Sequence, residues 1–309
     1  MRIEHRFRVM NTNALVIVCA RDAGAATRKR IEDAEAYAHA TEQRFSRFMP
    51  DSELCRMNAA AGTWIEVSPE MAEVLELAYG LHAQTDGLFD PAILADLERA
   101  GYDRSFETLP EQRDPAPRGP RRTVRFGDIE LERGRVRLPT GVRVDLGGIV
   151  KGWTADRLAA LLADVGPTLV ELGGDVAVTE APSDGDGWEV GVRSPGSERI
   201  IGVVQVASGG VATSGIDARR WRSGADWAHH IIDPRTGEPS RSALVQVTAF
   251  AADATFAEVW AKAALIGGAD ESAKMLDRHP ELRLVLWRDG GEPVASRGIP
   301  FMYGPPVLA

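Results

Sequence analysis

The sequence is poor in cysteine and in positive charge. It has two cysteines, Cys19 and Cys55, whose spacing does not match a metal-binding pattern. So low a count suits a reducing compartment, and no pattern supports a disulfide between them. The 36 Lys and Arg residues are outnumbered by 45 Asp and Glu residues, for a net charge of −9. This balance excludes a protein that binds nucleic acid through a basic surface, although an anionic small ligand held by local donors stays open.

Long apolar segments are also missing. The run ALVIVCA at 14–20 is too short to span a bilayer, so we expect no membrane span and interpret the run as a strand. Val18, rather than a small residue, precedes Cys19, which does not fit a lipoprotein cleavage site. We recognise neither a signal peptide nor a lipobox, and we therefore expect a cytoplasmic protein.

The most informative segment is VDLGGIVKGWTADRLAALL at 144–162. It matches neither the dinucleotide pattern GxGxxG nor the Walker pattern GxxxxGK[ST]. It does place Asp145, two glycines and Lys151 at the start of a predicted helix. Backbone N–H groups, a cation and a helix N-terminus at one place suit a phosphate. The alternative is a strand-to-helix turn with a solvated lysine, and the segment alone leaves both open.

Two further turns follow apolar runs. In ELGGDVAV, Asp175 can hold a hydroxyl or an amide, but a β-bulge or hairpin turn is the favoured interpretation of this segment alone. In HHIIDPRTG, His229 or His230 can act as a general acid or base, since imidazole titrates near neutral pH. A structural histidine fits that segment equally well.

Two pairs of residues lie at helical spacing. Phe45 and Phe48 are three residues apart, which fits core packing and also stacking on a planar ring. Glu258 and Lys262 are four residues apart, in the order that favours a surface ion pair on a helix.

The order of predicted elements favours an α+β fold, because strands cluster in groups with helices between them. Ser68 and Pro69 predict the start of a helix that ends near Gln84. The segment 103–123 is rich in proline and charge and is predicted to be an exposed loop. Other predicted elements are helices at 26–47, 152–164 and 253–266, strands at 141–146 and 168–178, and a turn, NTN, at 11–13.

Taken together, these segments resemble the ApbE family of FAD:protein FMN transferases. The resemblance covers nearly the whole chain in the same order. Its motifs are RVMNT, FSRFMPDSELCRMN, TDGLFDP, VDLGGIVKG, ELGGDVAV, VATSG and HHIIDPRTG. It implies one flavin transferase domain over 1–309 with an α+β architecture of the T-fold kind. It also implies that FAD is split at its pyrophosphate, with FMN passing to a Thr or Ser hydroxyl of a target flavoprotein and AMP leaving.

The resemblance also implies roles for particular residues. His230 matches the histidine that helps activate the acceptor hydroxyl. The residues that match positions binding FAD are Met10, Phe48, Leu88, Phe89, Asp90, Asp145, Lys151 and Ile231. The Mg²⁺ ligands of the family match Glu258 and, through a backbone carbonyl, Gly148.

Two departures from the family pattern stand out. Asn11 replaces the glycine of the usual Met-Gly-Thr motif. Glu258 and Lys262 replace an Asp and a Thr that ligate Mg²⁺ in the family, and a protonated lysine cannot ligate a metal. Three alternatives follow. Glu258 holds Mg²⁺ while Lys262 swings away, Lys262 itself takes the place of the metal as a catalytic cation, or FAD is bound without being turned over.

The sequence therefore leaves three functions to compare. The leading one is a flavin transferase that acts on a partner flavoprotein. A second is an FAD pyrophosphatase that releases FMN and AMP to water. The third is an FAD-binding carrier or sensor without transferase activity.

Overall fold

The computed structural model describes residues 1–113, 124–183 and 185–303. The helices are α1 (Ala25–Phe45), α2 (Glu53–Ala59), α3 (Pro69–Gln84), α4 (Leu94–Arg99), α5 (Val150–Leu162) and α6 (Ala254–Arg278). The first strands are β1 (Arg2–Val9), β2 (Thr12–Cys19), β3 (Ile65–Glu66), β4 (Gln112–Arg113), β5 (Glu130–Glu132), β6 (Arg135–Arg137), β7 (Thr168–Leu172), β8 (Asp175–Val178), β9 (Trp188–Arg193) and β10 (Ile200–Val206). The later strands are β11 (Gly209–Gly215), β12 (Arg220–Ser223), β13 (Asp226–His229), β14 (Ile232–Asp233), β15 (Glu238–Pro239), β16 (Leu244–Ala251), β17 (Arg283–Arg288), β18 (Val294–Ala295) and β19 (Phe301–Tyr303).

The chain divides into two compact units. Unit 1 comprises Met1–Glu42, Lys151–Gly215 and Ala243–Ala309, and unit 2 comprises Gln43–Val150 and Ile216–Ser242. A single domain over 1–309 stays a prediction.

Unit 1 is built on an eight-stranded antiparallel sheet in the order β1-β2-β7-β8-β11-β16-β17-β18. Side chains alternate between its two faces, as the two-residue period of a strand requires. Val16 and Val18 pack with Leu158 of α5 on one face, whereas Ile17 packs with Trp188 of β9 on the other. The sheet is therefore a middle layer between helices and the smaller sheet β19-β10-β9.

Two tight hairpins in this sheet carry predicted site segments. Met10 and Asn11 form the β1–β2 turn with φ of 52° and 56°, so the turn begins one residue before the predicted NTN and Thr12 is already in β2. Asparagine tolerates the left-handed region that the glycine of the family motif adopts freely, which explains the first departure. Gly173 and Gly174 form the β7–β8 turn, so 168–178 is a hairpin rather than one strand.

Unit 2 contains α2–α4 and three small sheets, ordered β13-β12-β4, β14-β15 and β3-β6-β5. The predicted strand at 141–146 is absent from these ladders. The side chain of Asn58 pairs with the backbone of Val144 instead, accepting from its N–H at 2.8 Å and donating to its carbonyl at 2.9 Å. A side-chain amide thus replaces a neighbouring strand.

The capped helix of unit 2 follows its sequence signals. Helix α3 begins at Pro69 and ends at Gln84, and the Ser68 hydroxyl accepts from the Met71 N–H. Residues 103–113 are mostly exposed but contain a 3-10 turn (Phe106–Thr108) and β4. The rest of the predicted loop, 114–123, lies outside the described residues.

Helix α6 is longer than predicted, and its backbone changes direction at Gly268, where φ is 80°.

Both cysteines are free thiols. No helix among the described residues combines the length and apolar character needed to cross a membrane.

Candidate functional site

Four charged side chains of unit 1 form one cluster, which we call the ammonium–carboxylate cluster: Lys151, Asp175, Glu258 and Lys262. Lys151 lies in the first turn of α5 and forms ion pairs with Asp175 and with Glu258, the latter at 3.0 Å. Lys262 Nζ lies 4.0 Å from the same oxygen, Glu258 Oε1. The alternative of a solvated Lys151 does not hold, because this lysine pairs with two carboxylates that are only 2% and 4% exposed. The expected pair of Glu258 and Lys262 is present, but it is buried and does not lie on the surface.

Burial and charge act against each other in this cluster. Burial, helped by the neighbouring Glu258 carboxylate, raises the pKa of Asp175 to about 7 against the lowering effect of Lys151. Burial also tends to raise the pKa of Glu258, but Lys151 and Lys262 outweigh it and lower that pKa. The two carboxylates share Lys151 and lie close to each other, so they titrate as a pair and not independently.

The beginnings of α5 and α6 are tied together beside the cluster. The backbone N–H of Gly152 donates to Glu258 Oε2 at 2.9 Å, and a β-carbon at position 152 would collide with the backbone carbonyl of Ala254. Asp156 accepts from the Ala254 and Thr255 N–H groups, both at 2.9 Å, and from the Thr255 hydroxyl at 2.5 Å. Glycine at 152 therefore allows the close helix contact that places Glu258 over Lys151.

These residues do not fit a Mg²⁺ ion. Both oxygens of Glu258 already accept from N–H groups, and two ammonium groups surround Oε1. Mg²⁺ needs oxygen ligands at about 2.0–2.1 Å in a near-octahedral arrangement. Among the described residues, no group of three or more His, Cys, Asp or Glu side chains is arranged to hold a metal. The structure places Gly148 in the turn before α5, and the Mg²⁺ site at Gly148 and Glu258 stays a prediction.

Met10 lies elsewhere in unit 1, at the tip of the first hairpin. Its N–H donates to Glu42 Oε1 at 2.8 Å, and its side chain is partly buried. Thr12 lies against Gly173, where a β-carbon would collide with the threonine side chain. The two hairpin turns are therefore in contact, which fixes the position of Met10.

In unit 2, Arg47 links two of the predicted FAD-binding residues. Its Nε lies 2.7 Å from Asp145 Oδ2, and its guanidinium carbon lies 4.2 Å from the Phe48 ring centroid and 4.5 Å from that of Tyr102. The side chain is only 6% exposed. Its Nη2 is buried and has no hydrogen-bond acceptor within the described part of the chain. A buried guanidinium donor normally finds an acceptor, so this nitrogen marks a place for one.

The aromatic group continues from Phe48 to the predicted histidine. Ring centroids are 5.9 Å apart for Phe48 and Tyr102, and 5.7 Å apart for Tyr102 and Trp221. His230 contacts Tyr102 edge-to-face at 6.5 Å. We call Arg47, Phe48, Tyr102, Trp221 and His230 the guanidinium–aromatic cluster.

The two adjacent histidines have different surroundings. His229 is buried; its Nε2 faces the Ser240 carbonyl at 3.1 Å and its Nδ1 accepts from the Ile231 N–H at 3.3 Å. Burial lowers the pKa of His229, which keeps the ring neutral. His230 Nδ1 faces the Arg219 carbonyl at 3.3 Å, so Nδ1 carries the hydrogen and the basic lone pair of the neutral ring lies on Nε2. Of the two, His230 suits proton transfer and His229 suits a structural role.

The predicted flavin turn after α3 is rigidly held. Leu88, Phe89 and Asp90 are all buried. The Phe89 carbonyl faces His82 Nδ1 at 2.8 Å, and Asp90 Oδ1 accepts from the Ala92 N–H at 2.8 Å. These contacts make the turn a support in unit 2, and any contact of its residues with FAD stays a prediction.

Asp145 is positioned by its own segment as well as by Arg47. Its N–H donates to the Pro91 carbonyl at 2.8 Å, and its Oδ1 accepts from the Gly147 N–H at 2.9 Å. Ile231 is buried, and its carbonyl accepts from the Ser240 N–H at 2.8 Å. Its own backbone groups are thereby used within unit 2.

The chain is similar to known proteins over most of its length. A family model described as the ApbE family matches residues 10–286. This protein belongs to the ApbE family. A relative named FAD:protein FMN transferase from Klebsiella pneumoniae is 28% identical over 269 residues, which is 84% of this chain and 76% of the relative. Another of that name, from Treponema pallidum, is 29% identical over 296 residues, covering 88% and 80%.

Solved ApbE structures have the same fold. The ApbE protein of Thermotoga maritima superposes with a TM-score of 0.85 at 27% identity, covering 96% of this chain and 97% of that one. The flavin transferase ApbE of Vibrio cholerae gives 0.81 at 21% identity, covering 96% and 97%, which bears on the fold alone. The predicted α+β class is confirmed.

Within this ApbE chain, sequence reasoning missed Arg47, Tyr102 and Asn58 as contributors to the site. Arg47 and Asn58 both lie in the motif FSRFMPDSELCRMN, of which only the aromatic residues Phe45 and Phe48 were interpreted. An arginine beside Phe48 is a signal for cation–π stacking that could have been used. Tyr102 and the pairing of Lys151 with Asp175 arise from tertiary contacts and have no local signal.

Proposed function

We propose that this chain is an FAD:protein FMN transferase, which moves FMN from FAD to a Thr or Ser hydroxyl of an acceptor flavoprotein and releases AMP. The observation that carries the proposal is the buried Nη2 of Arg47 inside the guanidinium–aromatic cluster. An isoalloxazine supplies both a planar ring for Phe48 and carbonyl oxygens for such a donor. Membership of the ApbE family supports the same reading.

The remaining residues have roles in this proposal. Lys151 and Lys262 bring positive charge to the pyrophosphate, and Asp145 holds Arg47 in place. Phosphoryl transfer depends mostly on positioning and charge neutralisation, which these residues supply. The further FAD contacts that we propose are those of Met10, Phe48, Leu88, Phe89, Asp90 and Ile231.

The chemical step is an exchange of two P–O bonds. The acceptor hydroxyl oxygen attacks the phosphorus of the FMN half, and a new P–O bond forms to the protein. The bond from that phosphorus to the bridging oxygen breaks, and its electron pair leaves with AMP. The hydroxyl proton passes to His230 Nε2, which bears the basic lone pair of the neutral ring. No step is assigned to Mg²⁺, because the described residues around Glu258 do not fit it.

The test is to incubate the protein with FAD and a flavoprotein acceptor, in parallel with an acceptor whose target hydroxyl residue is replaced by Val or Ala. A covalent fluorescent adduct on the first acceptor, absent from the second, supports transfer. Free FMN and AMP without an adduct indicate a pyrophosphatase, and unchanged bound FAD indicates a carrier or sensor. Either of those results contradicts the proposal.

A cytoplasmic location is a further proposal, made from the sequence alone. Fractionation of cells that express the tagged full-length protein tests it. Recovery in the membrane or the exported fraction contradicts it.

A further inference from the structure

The ammonium–carboxylate cluster has two cations and two anions in one place. Lys151 contacts both carboxylates, and Lys262 lies 4.0 Å from Glu258 Oε1. The two carboxylates are almost fully buried, whereas each lysine side chain is 18% exposed. The two lysines are therefore the more exposed side chains of the cluster, and the two carboxylates are the more buried ones.

This arrangement differs from a carboxylate that waits for a metal. A Mg²⁺ ion at Glu258 Oε1 would have to displace the Lys151 hydrogen bond and lie beside two ammonium groups. Glu258 Oε2 is held by the Gly152 N–H at 2.9 Å. Like charges at such short range repel strongly in a buried setting. Two positively charged groups therefore already occupy the surroundings of Glu258 in which a divalent cation would lie.

We propose that the two ammonium groups of Lys151 and Lys262 replace the divalent cation, so that this chain binds the pyrophosphate of FAD without Mg²⁺. Asp175 and Glu258 are positioning residues, which hold the ammonium groups and do not touch the phosphates. The inference rests on the proposed function, since it assigns the pyrophosphate of the same substrate to this cluster.

The first test uses the unaltered protein. FAD binding is measured by fluorescence in EDTA and again in millimolar Mg²⁺, and Mg²⁺ is titrated by calorimetry with FAD present. We expect the two dissociation constants to agree within about twofold, and no stoichiometric uptake of Mg²⁺. Stoichiometric, FAD-dependent uptake at micromolar Mg²⁺ overturns the inference and leaves the proposed function standing. Absence of FAD binding in both buffers overturns the proposed function as well.

The second test changes the cation. The double variant Glu258→Asp/Lys262→Thr restores the residue types of the family pattern. We expect it to bind FAD at least tenfold more weakly in EDTA and to recover affinity when Mg²⁺ is added. Lys262→Arg should keep metal-independent binding, because it retains the positive charge.

Lys274→Thr is the matched control, since Lys274 is an exposed lysine of the same helix that pairs with Glu271. It should bind FAD like the unaltered protein in both buffers. Melting temperatures establish that each variant is folded. A folded double variant that binds FAD equally well in EDTA and in Mg²⁺ overturns the inference. If the double variant does not fold, the calorimetric titration and Lys262→Arg decide.

Discussion

The ammonium–carboxylate cluster and the guanidinium–aromatic cluster both contain buried ion pairs, but they differ in how completely their charged groups are paired. In unit 1, Lys151 and Glu258 neutralise each other within a set of two cations and two anions. In unit 2, Arg47 is neutralised by Asp145 on one side, stacked by two rings on its face, and left with a buried Nη2 that has no acceptor among the described residues.

The two clusters should differ in how strongly a substitution affects stability. A closed set of buried charges is costly to open, because removing one member leaves another without a partner. Removing Arg47 leaves only Asp145 without its ion-pair partner, and that carboxylate is 16% exposed and also accepts from the Gly147 N–H, so the cost to the fold should be smaller. We therefore expect substitutions in unit 1 to change stability first and substitutions in unit 2 to change ligand binding or turnover first.

The largest expected effect is that of Lys151→Met. It leaves Asp175 and Glu258 without the ammonium group that contacts both, so the free energy of unfolding should fall by about 3–5 kcal/mol. Chemical denaturation measures it. Lys274→Met, at an exposed position, is the control and should leave the denaturation midpoint unchanged. If Lys151→Met had the same midpoint as this control, the ion pairs of the ammonium–carboxylate cluster would not contribute to stability, which contradicts the prediction.

The second prediction contrasts the adjacent histidines. His230→Gln should lower the rate of FMN transfer by roughly 10²–10³-fold, with unchanged FAD affinity and melting temperature, because it removes a proton acceptor. His229→Gln should instead lower stability by roughly 1–3 kcal/mol, since it disturbs buried hydrogen bonds to Ser240 and Ile231. Equal transfer rates in the His230 variant and the unaltered protein would exclude the assigned role.

The third prediction concerns pH. Burial raises the pKa of Asp156 to about 6, despite lowering contributions from Thr255 and Ala254, and its ordinary value is 3.8. The folded state therefore keeps a proton that the unfolded state has lost between these values. Stability relative to Asp156→Asn should fall as pH rises from 4 to 6, by on the order of 2–3 kcal/mol, and change little above that. Denaturation of both proteins at several pH values measures the difference, and a rise over this interval would contradict the sign.

The fourth prediction concerns the buried guanidinium of Arg47 in unit 2. Arg47→Met should weaken FAD binding by about tenfold to a hundredfold, because it removes a buried charged donor. The nearby Arg56→Met is the control, since Arg56 donates to the Asp51 carbonyl at an exposed position. Fluorescence titration measures both. A loss of melting temperature without a change in affinity would assign Arg47 to the fold instead.

The smallest effect is expected at the first hairpin. Asn11 has a φ of 56°, so Asn11→Ala should cost about 1 kcal/mol, whereas Asn11→Gly should be tolerated. Thermal melting compares the two variants. If both melt alike, the left-handed turn is not what retains asparagine here.

Local signals in the sequence predicted what depends on neighbours along the chain. The Ser68 cap and Pro69 predicted α3 correctly. The glycine pair after Leu172 indicated a β-bulge or a hairpin turn, and the structure has the hairpin, although the single strand predicted over 168–178 was wrong. The strand predicted at 141–146 was wrong because Asn58, 86 residues from Val144, occupies its backbone groups.

The candidate site was harder to predict than the fold. Its named residues came from the order of motifs, and that order identified the family. It could not reveal that Lys151 pairs with Asp175 and Glu258, which lie 24 and 107 residues away along the chain. Long-range ion pairs leave no periodic or local signal in the sequence. For this reason the Glu258–Lys262 pair was expected on the surface, and its burial could not be predicted.

The contact at Gly152 has a consequence for how the ion chemistry of this fold can change. Because a β-carbon at position 152 would collide with the Ala254 carbonyl, glycine allows α5 and α6 to approach closely there, and the Asp156 side chain holds the two helices at that spacing. The spacing of the two helices therefore limits which side chains fit at position 258. An exchange between lysine and metal at this place therefore calls for different side chains and for no movement of the two helix backbones.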